Sequence, residues 1–183
     1  MTAQQLKIAV VGAGGKMGMR LSDNLQRSTH DVRYVENSPA GQQRTIQAGR
    51  TLTDTDAAVR DAAVFILAVP DIALGTVSEQ LVPQLQPGSI LLTLDPAAAY
   101  ANLLYQRSDI EYAVAHPCHP SVFLQRKTEA ELTDTFGGIA APQDVVAAVE
   151  SGDAERQAIA ETAIHRHGSV RRYRRWSRRD PCR

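Results

Sequence analysis

Four glycines, Gly12, Gly14, Gly15 and Gly18, lie within seven residues, directly after the apolar segment at residues 6–11. Glycine permits tight turns and lets backbone N–H groups approach a phosphate closely. Helical apolar spacing follows, so a helix N-terminus would face the same phosphate. The pattern predicts a dinucleotide pyrophosphate site, although an ordinary glycine-rich loop is the alternative. The predicted cofactor-binding residues of this loop are Gly12, Gly14, Gly15, Lys16, Met17 and Gly18.

One acidic residue, Glu36, stands at the end of the second predicted strand. An acid at this place accepts hydrogen bonds from the adenosine ribose hydroxyls of NAD. The 2′-phosphate of NADP would face the same carboxylate, and two like charges at ~4 Å repel by about 1 kcal/mol even in water. The residue therefore predicts NAD rather than NADP. A solvated surface glutamate is the alternative, and Lys16 could partly offset the repulsion.

Two histidines and a thiol, His116, Cys118 and His119, lie within four residues and are bracketed by Pro117 and Pro120. A histidine can take a hydroxyl proton as hydride leaves for a nicotinamide. The same groups bind metals, but the prolines extend the chain and no second ligand pair is evident, so we predict no metal. We predict catalytic roles for His116 and His119 and a substrate contact for Cys118; a structural loop remains the alternative.

Further site candidates follow other apolar strands. Val69, Pro70 and Asp71 end one predicted strand, and Asp95 ends another. Ligands of open α/β sheets bind outside the carboxyl ends of the strands. We therefore expect Val69, Pro70 and Asp71 to contact the cofactor. Asp95 is predicted to contact substrate, or alternatively to be the N-cap of the following helix, with Pro96 at the first helical position.

The elements that must position these residues alternate along the chain. This alternation predicts an α/β fold, a Rossmann-type doubly wound parallel sheet. Predicted strands cover residues 6–11, 31–36, 51–53, 64–69, 90–94, 110–115 and 138–141. Predicted helices after the first cover residues 39–48, 55–60, 71–85, 96–106, 143–150 and 153–164. We divide the chain into an NAD-binding domain (1–142), a helical remnant of a second domain (143–165) and an arginine-rich tail (166–183).

The tail differs from the rest of the 183-residue chain in charge. It holds eight arginines and one acid, a net charge of +7, whereas residues 1–165 carry −7. Three interpretations stay open: a phosphate-gripping and base-stacking segment, a disordered tail, or out-of-frame translation of a GC-rich gene. We favour the last, so a nucleic-acid partner is not expected.

Two features of composition bear on the cellular compartment. Two cysteines make no disulfide framework, and the first residues lack a signal-peptide pattern, which predicts the cytoplasm. The longest apolar run, at residues 62–70, is far short of the ~20 residues of a membrane helix, so no membrane association is predicted.

Four segments resemble one enzyme family. Residues 11–18, 94–101, 116–123 and 136–142 are similar to the D-apionate oxidoisomerase group of the 6-phosphogluconate and 3-hydroxyacid dehydrogenase superfamily. The resemblance implies NAD-dependent oxidation of a CH–OH group of a sugar acid. It also implies a homodimer built by a helical C-terminal domain, which is largely missing here together with the superfamily's catalytic lysine. The alternative function is a non-catalytic dinucleotide-binding module.

Overall fold

The computed structural model describes residues 5–121, 123, 125–135, 137, 140–141, 143–149 and 169–173. Seven strands form one sheet in the order β2-β1-β3-β4-β5-β6-β7. The strands are β1 Lys7–Val11, β2 Asp31–Val35, β3 Val64–Leu67, β4 Ile90–Thr93, β5 Glu111–Pro117, β6 Asp144–Val149 and β7 Ser169–Tyr173. The helices are α1 Lys16–Leu25, α2 Pro39–Gln47, α3 Thr55–Asp61, α4 Asp71–Leu81, α5 Ala97–Tyr100 and α6 Glu129–Thr133.

The central strands explain why the sheet is covered on both faces. Every residue of β3 and β4 is buried. Because side chains alternate across a strand, Ile66 and Leu92 pack into one apolar cluster while Phe65 and Leu91 pack into another. The strands from β2 to β5 pair parallel, and a parallel sheet buried on both faces is the Rossmann arrangement. The predicted fold class is confirmed.

The helix predicted at residues 143–150 is wrong. Residues 144–149 form β6, which pairs antiparallel with β5, so the sheet is mixed rather than wholly parallel. Val145, Ala147 and Val149 are buried, whereas Asp144 and Val146 are exposed. This period of two, with β-branched valines, suits a half-covered strand better than a helix. The helical interpretation of residues 143–165 therefore fails for 144–149, and residues 150–168, with the helix predicted at 153–164, lie outside the described residues.

Smaller differences concern other element ends. Residues 51–53 form no full strand, only a bridge between Leu52 and Tyr34. Ala140 and Ala141 lie in bends instead of the strand predicted at 138–141, whose first two residues are outside the described part. The helix predicted at 96–106 is limited to α5. The sequence analysis did not predict α6, which begins with a capping box between Thr128 and Glu131.

Part of the arginine-rich tail also has regular structure. Residues 169–173 form β7, parallel to β6, so the disordered alternative considered for the tail does not hold for these five residues. Backbone pairing along β6 supplies the hydrogen bonds that the segment needs, and Val and Tyr favour strands. Within the described ranges, no helix is long and apolar enough to cross a membrane.

Candidate dinucleotide-binding site

The turn after β1 requires glycine at its first position. Gly12 has a φ of +83°, the left-handed region, and a Cβ there would lie 2.8 Å from the Ala68 carbonyl oxygen. The N–H groups of Gly12 and Ala13 donate to the Val35 carbonyl at 2.9 and 3.1 Å. These bonds fix the turn against the end of β2, where Glu36 follows.

The other glycines allow main chains to touch. A Cβ at Gly18 would lie 2.0 Å from the Gly12 carbonyl oxygen, so α1 packs directly on the turn. A Cβ at Gly14 would lie 2.2 Å from the carbonyl oxygen of Gly41 in α2. Gly15 is less constrained, with 3.2 Å to the Gly12 oxygen. The loop is thus a bare backbone cradle at the start of α1, which suits a pyrophosphate.

The Glu36 carboxylate is held by three hydrogen bonds of 2.9 Å. Gly14 N–H donates to Oε2, and the N–H and Oγ of Ser38 donate to Oε1. Burial favours the neutral acid, but hydrogen bonds from Ser38, Gly14 and Asn37 outweigh it, so the pKa of Glu36 is lowered. The half-buried side chain is therefore an ionised acceptor beside the phosphate loop.

Two cavities flank the glycine turn. The first, of about 440 Å³, lies on the Glu36 side. It is lined by residues at the ends of β1, β2 and β3 and by residues of α3 and α4. Its lining residues are Val11, Gly12, Val35, Glu36, Asn37, Ser38, Thr55, Val69, Val77, Gln80, Leu81 and Gln84. An ionised acid at the rim of a mostly apolar cleft fits an adenosine, whose base is flat and whose ribose offers hydroxyls.

The second cavity, of about 450 Å³, lies on the opposite side and shares Val69 with the first. It brings together nine of the predicted site residues, Gly15, Lys16, Met17, Val69, Pro70, Asp71, Asp95, His116 and His119, with Ala68, Leu94, Pro117 and Gln143. The carboxyl ends of β3, β4 and β5 therefore meet at this cavity, as the strand-end argument predicts. The second cavity therefore combines a carboxylate, Asp95, an imidazole, His116, and an ammonium group, Lys16.

Both histidines have one ring nitrogen on a backbone carbonyl. His116 Nδ1 is 3.0 Å from the Leu94 oxygen, and His119 Nδ1 is 3.2 Å from the Thr135 oxygen. Because a carbonyl only accepts, Nδ1 must carry the hydrogen, which makes Nε2 the basic atom of a neutral ring. Asp95 Oδ2 lies 3.9 Å from His116 Nδ1.

Pro96 is the N-cap of α5, so Asp95 does not take the N-cap role considered for it. Its Oδ1 accepts a hydrogen bond of 2.7 Å from the Ala97 N–H, at the start of α5. The carboxylate therefore restrains this turn and borders the second cavity at the same time. The N-cap interpretation is therefore wrong, and the substrate contact of Asp95 stays a prediction.

Three predicted residues line neither cavity. Gly14 and Gly18 act through packing, as described above. Cys118 donates its N–H to the Asp144 carbonyl at 2.8 Å, and its thiol lies 3.7 Å from the His116 carbonyl. Among the described residues, Cys118 does not line the second cavity. These residues also include no group of three or more His, Cys, Asp or Glu side chains placed for a metal ion.

Sequence reasoning missed Ser38 and Gln143. Ser38 caps α2 by accepting from Gly41 N–H at 3.1 Å while also donating to Glu36. Its place before Pro39 signalled the cap but not the contact with the acid. Gln143 precedes β6 and borders the second cavity, and the wrong helix assignment concealed it.

This fold and this site define a Rossmann-type nucleotide-binding domain. Residues 7–102 match the family described as the NAD binding domain of 6-phosphogluconate dehydrogenase. Residues 124–171 match the family described as phosphogluconate dehydrogenase (decarboxylating) C-term. The chain belongs to the 6-phosphogluconate dehydrogenase NAD-binding family, and the prediction of an NAD-binding domain is confirmed.

Individual relatives support the narrower resemblance. A protein of Pectobacterium atrosepticum named D-apionate oxidoisomerase is 56% identical over 86% of this chain and 55% of its own length. One of Cupriavidus necator with the same name is 45% identical over 81% of this chain and 54% of its own. The chain thus spans about half the length of these relatives.

A solved structure shows the same fold. The crystal structure of a semialdehyde dehydrogenase NAD-binding protein from Cupriavidus necator, in complex with calcium and NAD, has a TM-score of 0.85 and 40% identity. It covers 95% of this chain, and this chain covers 64% of it. The resemblance to the D-apionate oxidoisomerase group is confirmed.

Proposed function

We propose that the chain is the nucleotide-binding part of an NAD-dependent oxidoreductase that oxidises a CH–OH group of a sugar acid such as D-apionate. The observation that carries the proposal is the pair of cavities on either side of the glycine turn. One presents the Glu36 carboxylate, and the other presents His116, Asp95 and Lys16. A dinucleotide that lay across Val69 would reach both. The cytoplasm remains the predicted compartment.

The residues present fit NAD. Gly12, Gly14 and Gly18 let the turn pack directly on neighbouring main chain, and Glu36 stands beside the turn as an ionised hydrogen-bond acceptor. Glu36 would hold the adenosine ribose hydroxyls and repel a 2′-phosphate, which favours NAD over NADP. When bound, the nicotinamide ring supplies a hydride acceptor. Val69 and Pro70 would lie beside that ring at the end of β3.

His116 is the best-placed base in the second cavity. Its Nδ1–H donates to the Leu94 carbonyl, which fixes the ring and leaves Nε2 to take the proton of a substrate hydroxyl. Asp95 would stabilise the resulting imidazolium. Lys16, which borders the same cavity, supplies positive charge suited to a carboxylate substrate. His119 borders this cavity as well and would orient the substrate.

Two measurements test the proposal. NAD titration by calorimetry should show binding, and incubation with D-apionate and other sugar acids should produce NADH, followed by its absorbance. His116→Asn keeps a donor near the Leu94 carbonyl but removes the base. His119→Asn makes the same change at the ring that would only orient the substrate, so it should lower turnover less. Absence of NAD binding refutes the proposal. Binding without turnover on any sugar acid would instead indicate the non-catalytic module.

A further inference from the structure

Two charged side chains hold opposite ends of Gly14. The Gly14 N–H donates to Glu36 Oε2 at 2.9 Å, and the Gly14 carbonyl accepts from Arg44 Nε at 2.8 Å. Glu36 follows β2, and Arg44 lies in α2. The middle residue of the phosphate loop is therefore oriented by groups outside the loop, one at each of its peptide bonds.

Helix α2 is seated so that this contact can form. Ser38 caps the helix, and Gly41 in its first turn touches Gly14 backbone to backbone. A Cβ at Gly41 would lie 2.5 Å from the Glu36 Cδ and 2.6 Å from the Ser38 Oγ. The Glu36 side chain therefore leaves no room for a Cβ at position 41. One helical turn later, Arg44 reaches the carbonyl on the other side of Gly14.

We propose that Arg44 is a positioning residue for the pyrophosphate. Its Nε–H fixes the Gly14 carbonyl, so the following backbone enters α1 with its N–H groups directed at the cradle. Glu36 serves the ribose directly, whereas Arg44 serves the phosphates only through Gly14. The inference rests on the proposed NAD site, and assigns to α2 a part in cofactor binding that the glycine pattern does not contain.

A matched pair of substitutions separates the hydrogen bond from the charge. Arg44→Gln places an amide nitrogen at the same distance along the side chain as Nε, so the donor remains and the charge is lost. Arg44→Met has similar length with no donor. Arg60→Met, at an exposed arginine of α3 outside both cavities, controls for the loss of one positive charge. Calorimetry measures the NAD dissociation constant, and ligand-observed NMR measures adenosine binding.

We expect Arg44→Met to weaken NAD binding about fivefold to tenfold, the value of one hydrogen bond. Adenosine, which has no phosphate, should bind within about twofold of the parent chain. Arg44→Gln should recover most of the NAD affinity, and Arg60→Met should match the parent. A selective loss of NAD binding that glutamine rescues is not expected of a residue that only stabilises the fold.

Each other result has a definite meaning. Equal losses in Arg44→Gln and Arg44→Met would overturn the inference, because the charge itself would then contact the phosphates. Equal losses for NAD and adenosine would also overturn it, because Arg44 would then support the whole site. If the parent chain binds no NAD, the proposed function fails and this inference fails with it. If the parent binds NAD and Arg44→Met binds it equally well, only this inference fails.

Discussion

Replacing Glu36 with glutamine should reverse much of the preference for NAD over NADP. The carboxylate accepts from Gly14 N–H through Oε2 and from Ser38 N–H through Oε1. A glutamine amide has one acceptor oxygen and one NH₂ group. In either orientation the NH₂ group therefore faces one of the two donating N–H groups and cannot accept its hydrogen bond. The substitution keeps the size of the side chain but removes the charge that the ribose and a 2′-phosphate would meet.

The magnitude follows from two separate effects. A hydrogen bond to a charged group contributes about 1.5–3 kcal/mol, so NAD should bind about 10-fold to 100-fold more weakly. Removing the repulsion of about 1 kcal/mol at ~4 Å should strengthen NADP binding by about fivefold relative to NAD. The ratio of the NAD and NADP dissociation constants should therefore change by at least about fivefold in favour of NADP.

The ratio is the informative quantity. Loosening of the Gly14 loop would weaken both cofactors equally and cancel in the ratio, whereas loss of the ribose contact and of the repulsion would not. Calorimetric titrations of both cofactors at one fixed ionic strength measure it, and Glu79→Gln is the control because Glu79 is exposed on α4 and lines neither cavity. An unchanged ratio in Glu36→Gln would refute the assignment of Glu36 to the ribose.

Four further outcomes are expected. His116→Asn should bind NAD within about twofold of the parent and lower turnover by about 10²–10⁴-fold, measured as initial rates of NADH formation. Gly41→Ala should weaken NAD binding by displacing Glu36 while leaving the thermal midpoint within a few degrees, since alanine favours helix; unchanged affinity would contradict the packing argument. Asp134→Ala should cost about 3 kcal/mol in urea unfolding, because this buried carboxylate pairs with Arg20. Since the Glu36 pKa is lowered in the fold, its stabilising contribution is complete above the ordinary value of 4.5 and is lost as pH falls through the lowered value, so Glu36→Gln should flatten this part of the acid-unfolding profile.

Much of the cofactor side of the site could be predicted because its signals are local. The glycine spacing, the apolar strand before it and an acid at the end of the next strand all occur within residues 6–36. Each follows from what one backbone turn and one ribose require. The burial of β3 and β4 could also be predicted, because a short unbroken apolar run suits a strand covered on both faces.

The contacts that hold the loop could not be predicted in this way. Arg44 reaches Gly14 across 30 positions of sequence, and Gly41 touches Gly14 only because α2 docks against the loop. Neither residue stands out in its own segment, since a glycine and an arginine are common in exposed helical turns. Tertiary packing decides such roles, and local pattern does not record it.

The segment wrongly predicted as a helix also supports the proposed base, His116, through backbone pairing. The parallel ladder between β4 and β5 ends at the pair Thr93 and Val114. Beyond it, His116 pairs with Val146 and Pro117 with Val145, both on β6. The main chain of His116 is therefore fixed by an antiparallel neighbour from later in the sequence, while its ring is fixed by the carbonyl after β4. Without β6 the end of β5 would be an unpaired edge, and the histidine would lose the rigid support that a base needs to meet a hydroxyl at hydrogen-bond distance.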